Sequence, residues 1–255
     1  MKQPTLIFDI DGTFSETEET HREAFNATFA HYGLPWSWDR PTYKKLLEVT
    51  GGKERMRYYV DDWKPEDAER AVPLIAEMHA DKTRRYTAMV DAGAAKPRPG
   101  VVRLIHAARA AGMPVAIATT TSFPNVESLI VATLGSEGMS LFDAVAAGDV
   151  VGKKKPAPDI YLLALEELGI APGDAIAFED SVNGLRSASA AGLRSIITPS
   201  MYTDDQDFSG AFSVISDLGE PDAPYTWISG AGAGDAMVTP DALRRWFGGE
   251  ERLRA

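Results

Sequence analysis

Two carboxylates, Asp9 and Asp11, close an apolar run, Leu6-Ile7-Phe8, and are followed at once by Gly12 and Thr13. The run reads as a buried strand. If strand geometry continues past Phe8, acids spaced by two point the same way, and one of them can take a metal. Gly12 allows a tight turn or a close backbone approach. Three further candidates stand at the ends of later segments. They are Thr119 after Pro114-Val115-Ala116-Ile117-Ala118, Lys155 in Gly152-Lys153-Lys154-Lys155, and Glu179-Asp180 after Ala175-Ile176-Ala177-Phe178. Along the carboxyl edge of a parallel sheet such residues converge in one crevice, where α/β sheets place ligands. Jointly they supply a nucleophile, an acid/base, a cation, a hydroxyl donor and carboxylates for a magnesium ion. That set fits phosphoryl transfer to a carboxylate. Singly, each is ordinary: an acid pair is usually a solvated turn, a lone Thr a cap, a lysine run a solvated face. An Asp-x-Asp pair also suits a receiver domain or a calcium loop. The calcium loop fails, because Phe14-Ser15-Glu16-Thr17 does not supply its further ligands.

These side chains need a frame. Residues 18–32 put Ala24, Phe25, Thr28 and Phe29 on one helical face, and Gly33-Leu34-Pro35 ends that helix. A turn at Thr50-Gly51-Gly52 leads to a helix near 53–60, and 65–90 reads as one or two more. With no strand signal, 16–92 reads as an inserted helical cap with hinges near Ser15-Glu16 and Gly93. From Pro97 onward strand and helix alternate: helix to 111, strand 114–118, helix 122–134, strand 144–146, helix 159–168 with Gly169 as its stop, strand 175–178, helix 183–191, strand 194–198. This alternation predicts an α/β fold, a doubly wound parallel sheet. Residues 1–15 and 93–255 form the core domain and 16–92 the cap. After 212–215 the chain reads as irregular, Gly230-Ala231-Gly232-Ala233-Gly234 as a flexible loop, and 240–247 as a short terminal helix.

A length of 255 residues suits one large domain, or one domain with an insert. A net charge of −11 with no basic stripe argues against a nucleic-acid partner. An anionic substrate then needs a locally positive site, helped by a divalent cation. There are no cysteines, so disulfides, thiolate catalysis and cysteine-ligated zinc are excluded. No apolar stretch approaches the roughly 18 residues of a membrane span, and no signal-peptide pattern is present. A cytoplasmic protein with no membrane partner is expected. The sequence does not fix an oligomeric state, and a monomer is compatible with it.

The ordered set Asp9-x-Asp11-Gly12-Thr13, Thr119, Lys155-Pro156-Ala157-Pro158-Asp159 and Glu179-Asp180-Ser181-Val182-Asn183-Gly184 resembles the haloacid dehalogenase-like (HAD) phosphotransferases. A helical cap after the first motif is similar to the CbbY / β-phosphoglucomutase-like family, and the resemblance runs to about residue 220. The segments Glu16-Thr17-Glu18-Glu19-Thr20-His21 and Thr50-Gly51-Gly52-Lys53-Glu54-Arg55 look most like CbbY, a group tied to Calvin-cycle sugar bisphosphates. The resemblance implies a HAD-like core with a helical cap. It implies Asp9 as nucleophile forming an aspartyl-phosphate, and Asp11 as acid, then base. Thr119 donates to the phosphoryl with Thr121 or Asn125, and Lys155 neutralises charge and orients Asp9. The resemblance further implies Mg²⁺ held by Asp9, Asp180 and the Asp11 backbone carbonyl, with Glu179 as a further ligand or a supporting group.

The implied substrate is a phosphosugar, most simply a bisphosphate such as xylulose-1,5-bisphosphate, hydrolysed by a Mg²⁺-dependent phosphatase. The alternative is a β-phosphoglucomutase-type mutase, which shares every core residue. Thr17, His21, Lys53, Arg55 and Lys82 are the cap residues expected to contact substrate, the last three as suppliers of a second anion site. Trp36 and Trp38 are expected to pack rather than stack on a sugar.

Overall fold

A computed structural model describes residues 3–148 and 150–249, so positions 1–2, 149 and 250–255 of the expected core domain lie outside the described residues. Seven strands form one sheet: β1 (Thr5–Phe8), β2 (Val115–Thr119), β3 (Ala144–Ala147), β4 (Ala175–Glu179), β5 (Arg194–Ile197), β6 (Ser213–Ile215) and β7 (Trp227–Gly230). Their order is β3-β2-β1-β4-β5-β6-β7, parallel from β3 to β6. The crossover helices cover both faces, so the strands are apolar on both sides. Leu6, Phe8, Val115, Ile117, Ile176 and Phe178 point into one cluster. Ile7, Ala116, Ala118, Ala175 and Ala177 point into the other. The small alanines on the second face leave room for large helical side chains such as Ile160 and Tyr161.

Between β1 and β2 run α1 (Glu18–His31), α2 (Arg40–Leu46), α3 (Gly52–Tyr58), α4 (Ala68–Ala71) and α5 (Ile75–Asp91). Then α6 (Val101–Ala110) precedes β2, and α7 (Phe123–Leu134), α8 (Asp159–Leu168), α9 (Val182–Ala190) and α10 (Pro240–Gly249) follow in turn. The five helices after β1 build their own apolar cluster, including Phe25, Phe29, Trp36, Trp38 and Tyr43. The two tryptophans are therefore packing residues, as expected, with Trp38 fully buried between Phe25 and Phe29. Tyr86 and Val90 of α5 also reach the sheet's cluster, which seats the helical segment on the sheet.

The two linkers to that segment run side by side. Ser15 and Pro97 form an antiparallel bridge, and Arg98 N donates to Phe14 O at 2.9 Å. The Arg98 guanidinium donates to the carbonyls of Gly12, Thr198, Pro199 and Ser216. It thereby ties the loop after β1 to the loops after β5 and β6.

The structure departs from the sequence reading at three places. Helix α2 was not anticipated, although Asp39 caps it by accepting from Thr42 N at 2.8 Å and Pro41 sits in its first turn. Strand β7 was not anticipated either. It pairs antiparallel with β6, so the sheet is not wholly parallel. All four of its residues are exposed, and a strand held by its ladder alone carries no alternation to read. The glycines after it form a packed turn rather than a loose loop. Tyr225 donates to Gly232 O at 2.6 Å, and a Cβ at Gly232 would lie 2.8 Å from Trp246. Among the described residues no helix is long and apolar enough to cross a membrane.

Candidate active site

Asp9 extends the ladder one residue beyond β1, its N–H donating to Phe178 O at 3.0 Å. The chain then turns at Gly12, with φ +80°. A Cβ there would stand 2.2 Å from Asp180 Oδ2, so Gly12 serves both the turn and the close approach. Adjacent strand ends bring up the partners: Thr119 closes β2 and Glu179 closes β4. Asp9, Asp11, Thr119, Lys155 and Asp180 line one cavity of about 450 Å³ between the sheet edge and the helical segment.

Lys155 is the centre of a charge cluster. Its ammonium donates to Asp9 Oδ1 at 2.7 Å, Glu179 Oε1 at 2.6 Å and Ala118 O at 3.0 Å. All three of its N–H groups are thereby used. Tyr161 donates its hydroxyl to the same Glu179 oxygen. The other oxygen, Oε2, is buried with no hydrogen-bond partner among the described residues. A Cβ at Gly184 would fall 1.9 Å from it, so only glycine leaves room for this carboxylate. Asp180 Oδ2 accepts from Thr203 at 3.3 Å, and Thr203 is in turn bonded to Ser200. Asp9, Glu179 and Asp180 offer oxygens within 4.8 Å of one another.

Three buried carboxylates thus stand close together, and the Lys155 ammonium pairs with two of them, Asp9 and Glu179. Burial raises the Asp9 carboxyl to about 7 against the lowering pull of Lys155, with Glu179 and Asp11 adding to the rise. Burial, Glu179 and Asp9 push Asp180 well above the usual carboxylate range. Burial opposes the charge on Lys155, yet Asp9 and Glu179 outweigh it and raise the ammonium further. The excess negative charge and the orphaned Glu179 oxygen fit a hard divalent cation with oxygen ligands.

Asp11 has different company. Its Oδ1 accepts from Thr17 Oγ1 at 2.5 Å and from His21 Nε2 at 3.0 Å. Lys82 Nζ lies 2.6 Å from His21 Nδ1, so a donating Lys82 leaves the imidazole proton on Nε2, facing Asp11. Burial alone would raise Asp11. His21, Thr17 and Lys82 overcome it and hold the carboxyl well below the usual range. Burial lowers Lys82 to about 7, Arg55 pushing the same way against Asp11 and Glu18. Burial and Lys82 likewise lower His21, against Asp11. On the other side of the cavity, Asn125 donates to Thr121 Oγ1 at 3.1 Å, and Thr121 N donates to Thr119 Oγ1 at 3.3 Å. Asn125 Oδ1 is buried without a partner among the described residues.

The residues expected to contact substrate fare unequally. His21, Arg55, Lys82, Thr121 and Asn125 line the cavity, whereas Thr17 and Lys53 do not. Thr17 is fully buried with its hydroxyl on Asp11, so it braces Asp11 instead. Arg55 is largely committed, donating to Leu46 O at 3.2 Å and to the Tyr43 hydroxyl at 2.9 Å. Tyr43 in turn donates to Glu18 at 2.7 Å. Tyr43, Tyr161, Gly184, Ser200 and Thr203 were missed by sequence reasoning. Gly184 ended a motif already noted; the others carry no local signal beyond belonging to helices or a loop.

The haloacid dehalogenase-like hydrolase family matches residues 4–192. Protein CbbY of Cereibacter sphaeroides is 49% identical over 216 residues, which is 84% of this chain and 92% of that protein. The plasmid CbbY of Cupriavidus necator is 45% identical over 246 residues, 96% of each chain. A crystal structure of mutant CbbY from Rhodobacter sphaeroides in complex with xylulose-(1,5)bisphosphate is similar at TM-score 0.81 and 48% identity. It covers 85% of this chain and 96% of that one.

Proposed function

The chain belongs to the haloacid dehalogenase-like hydrolases and is a sugar-phosphate phosphatase, and from that premise we propose that it hydrolyses a ketose bisphosphate such as xylulose-1,5-bisphosphate, with Mg²⁺ and through an aspartyl-phosphate on Asp9. The observation that carries this reading is the Lys155 cluster. It pins Oδ1 of Asp9 and leaves Oδ2 without a hydrogen-bond partner among the described residues, on a residue that lines the cavity. The relative crystallised with xylulose-(1,5)bisphosphate supports the choice of sugar.

In the proposed reaction Asp9 attacks phosphorus as the bond to the sugar oxygen breaks. Asp11 gives that oxygen a proton, then takes one from the water that hydrolyses the acyl-phosphate. The groups around Asp11 favour its ionised form, the form the second step needs. For the first step it must take up a proton, which Oδ2 can carry while Oδ1 still accepts from Thr17 and His21. Thr119, Thr121 and Asn125 provide polar contacts for the phosphoryl oxygens. When bound, a divalent cation would supply counter-charge and Lewis acidity, held by Asp9, Asp180, the Asp11 carbonyl and Glu179. Residues 16–92 are proposed as a cap on a core of 1–15 and 93–255, hinged near Ser15-Glu16 and Gly93. Lys154–Glu54 at 3.0 Å, and Asn183 donating to Glu48 O at 3.3 Å, link the two across the cavity and would help exclude water.

The test is phosphate release across sugar mono- and bisphosphates, with Mg²⁺ and with EDTA. Metal-dependent release strongest on a ketose bisphosphate supports the proposal. Glucose 6-phosphate formed from β-glucose 1-phosphate, with little free phosphate, would make the enzyme a mutase.

The cation assignment has a readout independent of turnover. The folded Asp9 carboxyl titrates near 7 against an ordinary 3.8. Between those values the metal-free folded state holds a proton that the unfolded chain has lost. This group's contribution to stability therefore falls as pH rises through that window. A cation replaces the proton only once the carboxyls are free. Mg²⁺ is accordingly expected to raise Tm more at pH 8 than at pH 5.5. An unchanged Tm at both would remove the assignment.

A further inference from the structure

The loop after β5 reaches in two directions within four residues. Tyr202 enters the helical segment. Its ring is buried in the cluster built by α1 to α5, and among the described residues it is the one buried member of that cluster from outside 16–92. It meets the Tyr43 ring edge-on, with centroids 5.7 Å apart, and its hydroxyl donates to Glu19. One residue on, Thr203 turns back to the sheet edge. Its hydroxyl accepts from Ser200 N at 2.8 Å and donates to Asp180 Oδ2 at 3.3 Å. The loop is fixed at both ends. The Arg98 guanidinium donates to Thr198 O at 2.5 Å and Pro199 O at 2.8 Å, and Gln206 Oε1 accepts from Val182 N at 2.7 Å. The residues between are left to follow Tyr202.

We propose that Tyr202 is a positioning residue: its seat in the helical segment holds Thr203 against Asp180, so that docking of 16–92 on the sheet edge sets the carboxylate cluster for its cation. The inference rests on reading 16–92 as a cap and Asp180 as a cation ligand, and adds the link between them. Magnitudes give its direction. Burying a tyrosine ring takes about 150–250 Å² out of water, whereas the Thr203 contact is a single long hydrogen bond. The ring therefore decides where the loop sits, and the hydroxyl one residue on goes with it. The neighbouring ion pairs weigh less. Lys44 meets Asp204 at 3.3 Å and Asp205 at 2.9 Å, but both acids are exposed and screened by solvent. Asp180 is where such a link would tell. A ligating carboxylate is oriented by its own hydrogen-bond partners, and those partners govern how well it binds metal.

The experiment measures Mg²⁺ binding by calorimetry on wild type, Tyr202→Ala, Tyr202→Phe, Thr203→Val and the double variant Tyr202→Ala/Thr203→Val. Tyr202→Ala and Thr203→Val are each expected to weaken Mg²⁺ binding about tenfold or more. Tyr202→Phe keeps the ring and should retain most of the affinity. The double variant should bind no more than about twofold more weakly than Thr203→Val, because both changes break the same contact. A role in packing alone would lower Tm without moving the Mg²⁺ affinity, or would make the two losses add; either result overturns the proposal. Hydrogen exchange on wild type covers the case in which Tyr202→Ala does not fold. Mg²⁺ should slow amide exchange in 201–206 and also in α2, which carries Tyr43 and supplies no carboxylate to the cluster. Slowing confined to 201–206 overturns the link. If wild type binds no Mg²⁺, the cation reading falls, and the link is judged by the same cycle read in kcat for phosphate release. Additive losses there, or none from Tyr202→Ala, overturn it.

Discussion

Asp9→Asn should lower kcat by at least about 10⁴-fold while leaving the protein folded. The amide has the carboxylate's size, and its oxygen can still accept from Lys155, which now donates to Asp9 Oδ1 at 2.7 Å. What is lost is the carboxylate oxygen that must bond to phosphorus. The substitution also removes one of three crowded buried acids, so Tm should hold or rise slightly in EDTA. Two readings check it. One is the rate of phosphate release. The other is acid-quenched protein examined by mass spectrometry: wild type should carry one added phosphoryl group on the peptide containing Asp9, and the variant none. Near-normal turnover, or an adduct elsewhere, would remove Asp9 as nucleophile.

Lys155→Met should damage both stability and rate. It leaves Asp9 and Glu179 buried without their ammonium, and breaking a buried pair costs about 3–5 kcal/mol. For a chain of this size that corresponds to a Tm loss on the order of 10 °C. The sign of its pH dependence follows from Asp9. Lys155 lowers the Asp9 carboxyl, so its removal makes the carboxyl titrate still higher. The folded variant then keeps the proton further into the alkaline range than wild type does. The stability gap between them should be small in acid, where Asp9 is protonated in both, and widest above neutral pH. The acid limb of the rate profile should move alkaline, and kcat should fall about 10²- to 10³-fold. Lys155→Met/Glu179→Gln should recover part of the Tm. A gap constant with pH would mean that Lys155 supports the fold by packing alone.

What the chain determined locally is what depends on near neighbours. The buried strands were legible because both faces are covered and their residues are apolar throughout. The first-helix face was legible from period, and Gly12 from its place after Asp9 and Asp11. The elements that escaped lacked that signal or carried a faint one. Strand β7 is exposed, and α2 is marked chiefly by an Asp cap and an early proline. The candidate site divides in the same way. Asp9, Asp11, Thr119, Lys155, Glu179 and Asp180 could be named from motifs because each sits at a strand end or in an adjoining loop. Which cation serves which acid could not be, since it turns on pairs far apart in sequence. Lys155 reaches Asp9 across 146 positions, and Lys82 reaches His21 across 61. A lysine or arginine reads alike on paper whether it is spent or free. Only tertiary packing decides this, by burying some charges against one another and leaving others, such as Arg186, without a partner among the described residues.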